Sequence, residues 1–182
     1  MAKTYTALTP GNATAGNAIL ATDHAAAFTN INNLRVPPTA VAVRTTASAA
    51  YTLSTDVTFE SATASGGHDT DSMWTAGSPT RLTVTTPGVY LVTFSGYVTM
   101  ATTGGVQTIV ILKNGSTVCE TYLPNSGTGH LWAVAHVLSL ANTDYITVRH
   151  TNGGSGAATI YGGASNANTQ TRLGVTWLGQ VS

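Results

Sequence analysis

The strict alternation of apolar and polar residues in VYLVTFSGYVTM, residues 89–100, constrains the fold of this chain more than any other feature. The large apolar side chains at its even-numbered positions are Tyr90, Val92, Phe94, Val98 and Met100. Side chains alternate between the two faces of a β-strand, so these residues would share one face. The stretch therefore predicts a long strand with one buried face.

Further segments with a period of two follow from Thr39 onward. The pattern predicts strands at residues 39–46, 50–59, 80–86, 89–100, 106–123, 130–140, 144–151, 158–162 and 172–179. Residues 106–123 turn at Asn114-Gly115 and are predicted to be a hairpin, because Asn-Gly is the strongest short hairpin signal. Residues 61–79 are predicted to be a long loop. About nine or ten short strands separated by turns are typical of an all-β sandwich.

The segment before the predicted strands has a different character. Residues 1–18 are small and polar and are predicted to form an extended arm, and residues 19–34, ILATDHAAAFTNINNL, are predicted to be a short helix. Phe28, Ile31 and Leu34 form a narrow apolar stripe on it. Isolated helices of this length are marginal in water. We therefore expect residues 1–36 to be an attachment or trimer-contact segment and residues 37–182 to be the β domain.

Charge is unusually scarce in this chain. Charged residues make up 8% of the sequence and the formal net charge is zero, whereas soluble domains carry about a quarter charged residues. No basic stripe is present to bind phosphates, so we expect no nucleic-acid partner. Low charge also weakens the usual protection of strand edges. We therefore expect edges and apolar faces to be buried in an assembly.

Four motifs occur in an order that is known from one family. They are PGVYLVTFSGYV (87–98), ILKNGSTV (111–118), LANTDYITVRH (140–150) and RLGVTWLG (172–179). Together they resemble the C1q/TNF-like jelly-roll domain, although Asn142-Thr143-Asp144 stands where that family has Gly-Asp. The resemblance covers roughly residues 38–180. It implies a two-sheet jelly roll of about ten strands that assembles as a homotrimer.

The polar arm and two further stretches extend the resemblance. NNLRVPPTAVAVRTT (32–46) and DTDSMWT (69–75) resemble C1q-like virion proteins of tailed bacteriophages. This implies a capsid decoration, head-fibre or minor capsid protein, made in the host cytoplasm and bound to the major capsid protein or another virion protein through residues 1–36. The alternative is a minor tail or tail-fibre tip protein that binds a host surface glycan or protein. Its candidate binding loops are 61–79, 101–105, 124–129 and 151–157.

The residues that could carry chemistry do not form a recognisable site. Asp56 and Glu60 would lie about 13 Å apart along one predicted strand, too far for a glycosidase pair. Asp69 and Asp71 lack the glycine and glutamate of a calcium loop and are expected to make turns that let Trp74 pack. Cys119, the only cysteine, is expected to be a small buried residue. We expect no enzymatic activity, no metal and no cofactor.

Several aromatic and histidine residues are predicted to lie in the core or at a trimer interface. They are Tyr90, Val92, Phe94, His130, Trp132, Val134, His136 and Trp177. His130 and His136 share a strand face, and around a three-fold axis each could form a ring of imidazoles. A carbohydrate-binding face that includes Tyr97 is an alternative. His68 and His150 are predicted to be surface or loop residues. No apolar run is long enough to span a membrane, and the first residues, MAKTYTALTPG, lack the apolar segment of a secretory signal, so we expect neither feature.

Overall fold

The structure is a computed structural model that describes residues 24, 25, 27, 28, 31, 34, 36–63, 67–101, 104–124, 129–154, 156–163 and 170–180. Its strands, in chain order, are β1 (Thr39–Val43), β2 (Ser54–Asp56), β3 (His68–Asp69), β4 (Arg81–Thr83), β5 (Gly88–Met100), β6 (Val106–Lys113), β7 (Ser116–Pro124), β8 (His130–Leu140), β9 (Tyr145–Asn152), β10 (Ala158–Ile160) and β11 (Arg172–Gly179). The predicted all-β sandwich is confirmed.

The strands form two antiparallel sheets. In sheet A, β5 pairs with β8 on one side and with β10 and β11 on the other, and β11 leads to β1 and β3. In sheet B, β9 lies between β6 and the two short strands β2 and β4, and β6 pairs with β7. Strands β7 and β8 are therefore the long edge strands of the described sandwich.

The core lies between the sheets and follows the predicted alternation. Every even-numbered residue of β5 is buried, whereas the odd-numbered ones are half-buried or exposed. The inward side chains of sheet B come from alternate positions of β6 and β9, such as Ile109, Ile111, Ile146 and Val148. Since burial of each such side chain contributes about 1.5–3 kcal/mol, this period-two pattern fixes the register of both sheets.

Two glycines of the predicted motifs are required by local geometry. Asn114 and Gly115 have φ angles of 51° and 82°, so the β6–β7 turn uses the left-handed region that Asn and Gly tolerate. A Cβ at Gly88 would come within 2.1 Å of the indole nitrogen of Trp177. Gly88, the first residue of β5, therefore leaves room for the Trp177 indole of the neighbouring strand β11.

The sandwich has two distinct ends. At the first, the entry end, β1 and β5 begin, β11 finishes, and the β6–β7 turn lies beside the start of β9. At the second, the loop end, the chain leaves β5 for β6, β7 for β8 and β9 for β10. Residues 36–38 therefore lead into the sandwich at the end opposite these three connections.

Residues 24, 25, 27, 28, 31 and 34 are helical. The rest of the predicted arm and helix, residues 1–23 and the intervening positions up to 35, lies outside the described residues. Within the described chain, no helix is long and apolar enough to cross a membrane.

Several predicted element boundaries are wrong, since the strands predicted at 39–46, 80–86 and 158–162 end at Val43, Thr83 and Ile160. The strand predicted at 50–59 contains only the three-residue β2, because residues 48–53 instead pair with the edge of β10 through Ser48 and Tyr51. The loop predicted at 61–79 contains β3, which pairs with β1 at Ala40 and Val41.

Candidate functional site: the outer face of sheet A

The outer face of sheet A exposes several large apolar side chains. Leu131 and Val137 on β8 are 67% and 54% exposed, and Leu178 on β11 is 54% exposed. Leu131 lies opposite Tyr97 and Val137 opposite Leu91 in the register of β5 and β8. Exposed apolar patches of this kind mark interaction sites.

Small side chains at the centre of this face leave a groove of about 590 Å³. Its lining includes Thr93, Ser95, Ala133, Ala135, Arg172 and Gly174. His68 also lines the groove, where its Nε2 atom lies 3.1 Å from the hydroxyl of Thr39. The guanidinium of Arg172 donates to the side-chain oxygen of Gln170 at 2.9 Å.

The two outer faces of the sandwich differ in charge. The sequences of β5, β8 and β11 contain one formal charge, Arg172. On the outer face of sheet B, Arg149 pairs with Asp56 at 2.7 Å, and Glu120 lies in the same cross-strand row. The outer face of sheet B therefore suits solvent, whereas that of sheet A suits a partner.

Most of the predicted core-or-interface residues point between the sheets. Tyr90, Val92, Phe94, Trp132 and Trp177 are buried in the core. The hydroxyl of Tyr90 donates to the backbone oxygen of Thr86 at 2.5 Å. The outward-facing residues described above were not among the predicted set, because their small or apolar side chains differ little from those of ordinary strand positions.

The remaining predicted residues are less enclosed. His130, Val134 and His136 lie on the same side of β8 as Trp132 and are half-buried, since β8 is an edge strand. On the helical residues, Phe28, Ile31 and Leu34 are 65%, 53% and 60% exposed. Their predicted role in attachment or trimer contact stays a prediction.

The acidic side chains that were weighed as catalytic or metal-binding groups have structural partners. Asp69 accepts hydrogen bonds from the backbone nitrogens of residues 71, 73 and 74 at 2.9–3.1 Å, in the kind of turn that the sequence predicts. Glu60 accepts from the backbone and hydroxyls of Thr45 and Thr46. Among the described residues, no group of three or more His, Cys, Asp or Glu side chains could hold a metal ion. Cys119 is half-buried in β7.

The prediction for His150 is wrong, because this residue is fully buried. Its Nδ1 atom lies 2.5 Å from the hydroxyl of Tyr51, and its ring meets that of Trp132 edge-on at 6.3 Å between centroids. Burial lowers the pKa of His150 from 6.5 to about 4. The sequence did carry a signal: His150 continues the inward alternation of Ile146 and Val148 along β9.

Comparison with known proteins shows the fold. The chain is similar to the globular domain of zebrafish complement 1qA protein, with a TM-score of 0.52 and 17% sequence identity over 75% of this chain and 94% of that one. No protein-family model matches the sequence. No curated protein matches it either. The chain therefore has the C1q/TNF-like jelly-roll fold that its motifs predict.

Proposed function

We propose that this chain is a non-enzymatic structural protein of a tailed-phage virion, a trimeric capsid decoration, minor capsid or head-fibre protein attached through residues 1–36. The observation that carries the proposal is the outer face of sheet A, which exposes Leu131, Val137 and Leu178 and whose strands β5, β8 and β11 contain one formal charge. A monomer would expose this face and the long edges of β7 and β8 to solvent. Closed assembly hides such surfaces.

The two ends of the sandwich support attachment through the entry end, with the loop end facing away from the particle. The chain enters the domain at Pro38, whose oxygen accepts a hydrogen bond from the backbone nitrogen of Trp177 at 2.9 Å. The connections at the loop end lie at the opposite pole. In a trimer with parallel subunits, three N-terminal segments emerge together on one side. The exposed stripe of Phe28, Ile31 and Leu34 is then available to dock on a larger shell.

The virion assignment itself rests on the sequence resemblance. Residues 32–46 and 69–75 carry it. In the structure these two stretches contact each other, since Thr70 bonds to the backbone of Thr39 and Pro37. These hydrogen bonds lie within residues 37–182, where the chain enters β1.

Deletion of residues 1–34 tests the attachment. We expect the truncated protein to fold as a trimer and to lose binding to particles that lack the protein. The matched control is full-length protein with Leu53, a 76% exposed residue outside the arm, changed to Ala, which should still bind. Cryo-electron microscopy of reconstituted particles measures occupancy. Normal decoration by the truncated protein would refute the attachment role.

The second candidate function is recognition of a host surface glycan or protein at a tail tip. It is favoured by the aromatic pair of half-buried Tyr97 and exposed Tyr161 near the loop end, with ring centroids 5.5 Å apart. Tyr161 is 40% exposed. Aromatic rings beside polar loops suit sugar stacking.

A glycan-array screen with Tyr161→Ala as the comparison variant separates the two functions. Specific binding that the variant loses, together with density only at the tail in virion images, would replace the decoration proposal. Density at capsid positions and no glycan binding would support it.

A further inference from the structure

A short segment crosses the loop end of the sandwich. Residues 48–53, here called the strap, bond to β10 through Ser48 and through a reciprocal pair of Tyr51 and Ala158 at 2.7 and 3.0 Å. The oxygen of Leu53 accepts from the backbone nitrogen of Asn152 on β9. The strap thus joins the two sheets. Tyr51 is its half-buried side chain that packs against the core.

Tyr51 is held by His150. The two rings meet edge-on at 5.7 Å between centroids, and the tyrosine hydroxyl lies 2.5 Å from Nδ1 of His150. The Nε2 atom of His150 is buried and has no hydrogen-bond partner among the described residues. Trp132 presents an indole N–H and Gln107 a side-chain oxygen that are likewise buried without a partner in the described chain.

Burial, rather than a neighbouring charge, makes a positive charge on His150 costly. Arg44, on the chain just after β1, is buried, and its positive charge acts on Tyr51. Glu60 compensates Arg44 from the solvent side. From β8, His130 lies two residues from Trp132 on the same side of the strand. From β6 and β9 the neighbouring inward side chains, such as Ile109 and Val148, are uncharged.

We propose that Tyr51 and His150 form an acid-sensitive latch that keeps the strap closed while the imidazole is neutral and releases it when the imidazole is protonated. A protonated His150 has two N–H donors. One can point to the Tyr51 hydroxyl, but the other, at Nε2, has no hydrogen-bond partner among the described residues, and the positive charge is buried. An open strap exposes the imidazole to water, which removes both penalties.

The direction of the pH dependence follows from linkage. The closed form binds a proton only near pH 4, whereas a solvated histidine binds one near 6.5. Between pH 4 and pH 6.5 the open form therefore binds more protons than the closed form. The free energy that favours the closed strap falls as the pH drops below 6.5 and stops changing below pH 4. The closing equilibrium changes by roughly a few hundred-fold over this range. The latch is a property of one chain and does not depend on a trimer or on a particle.

Hydrogen–deuterium exchange of the full chain, corrected for intrinsic rates, tests the latch. We expect protection of the amides of Tyr51 and Ala158 to fall about tenfold or more between pH 7 and pH 4.5, while the β5–β8 amides keep theirs. His150→Gln should abolish this pH dependence, and His68→Gln, a change at an exposed histidine, should preserve it. The proposal would be overturned if the wild type lost no protection between pH 7 and pH 4.5, or if His150→Gln lost as much protection as the wild type over this range.

A measurement on the wild type covers the case in which His150→Gln does not fold. An NMR titration of the five histidines follows the His150 ring, assigned by its contacts with Tyr51 and Trp132. We expect its midpoint to lie well below 6.5 and to coincide with loss of strap protection. A midpoint near 6.5 with a protected strap would contradict the latch.

Discussion

Thr143 adopts a backbone conformation that is unfavourable for its side chain. Its φ angle is 74°, in the left-handed region where β-branched residues are rare. Two hydrogen bonds hold the turn. The backbone nitrogen of Thr143 donates to the backbone oxygen of Val84, and the carboxylate of Asp144 accepts from the backbone nitrogen of Ala141 at 2.7 Å. This is the position at which the resembling family has glycine. The strained φ explains why glycine fits there.

Thr143→Gly should therefore stabilise the protein. Relief of left-handed strain gives about 1–2 kcal/mol, and the greater freedom of glycine in the unfolded chain removes part of it, so we expect a net gain of about 1 kcal/mol. Urea denaturation measures the change. The control is Thr117→Gly, at an exposed strand position of β7, which should destabilise. A loss of stability in Thr143→Gly would show that the threonine side chain makes a compensating contact.

Among the elements, the stretch from Asp69 to Trp74 follows the short pairing of β3 with a turn that is held by one carboxylate. Its backbone nitrogens donate to Asp69, and Asp71 behind them is fully buried and accepts from the hydroxyl of Thr86 at 2.9 Å. Met73 is thereby held in the core, with its oxygen accepting from Thr83 at 2.8 Å. This stretch therefore contributes Met73 to the core.

Asp69→Ala should cost about 2 kcal/mol of unfolding free energy, because three backbone donors lose a charged acceptor. Asp56→Ala is the matched control. It removes a carboxylate from a solvent-exposed ion pair, and such pairs contribute about 0–1 kcal/mol. Thermal unfolding of both variants gives the comparison. If both substitutions lowered the unfolding free energy by the same amount, water would be replacing the Asp69 carboxylate as acceptor at no cost in stability.

The strands differ in how well the sequence predicts them. Strands β5, β8 and β11 were predicted within one residue of their bounds, since their alternation of apolar and polar residues is local and unbroken. β2 and β3 were not, because their pairing depends on distant partners such as Val41 and Thr151. Residues 50–59 alternate like a strand but divide between the strap and β2.

For the whole molecule, the sequence predicted the layer arrangement better than the interaction surface. The alternation of β5 identified its inward residues. The role of its outward residues depends instead on the charge of the whole outer face of sheet A. This face is formed by three strands that are distant in the sequence, β8, β5 and β11, so the sequence alone does not define it. The scarcity of charge had predicted a buried surface without locating it.

The trimer proposed for this fold makes the outer face of sheet A its contact surface. Ala135 lies on this face, exposed and opposite Thr93. Ala135→Arg would place a charge in the contact without disturbing the core, so the variant should fold and remain a monomer. Thr151→Arg, on the outer face of sheet B opposite Thr108, is the control and should assemble like the wild type.

Light scattering at micromolar concentration tests the proposed assembly most directly. We predict a wild-type mass three times the chain mass of 18.6 kDa, the same mass for Thr151→Arg, and the single-chain mass for Ala135→Arg with an unchanged circular dichroism spectrum. A wild-type monomer, or a trimer that Ala135→Arg leaves intact, would contradict the proposed role of this face.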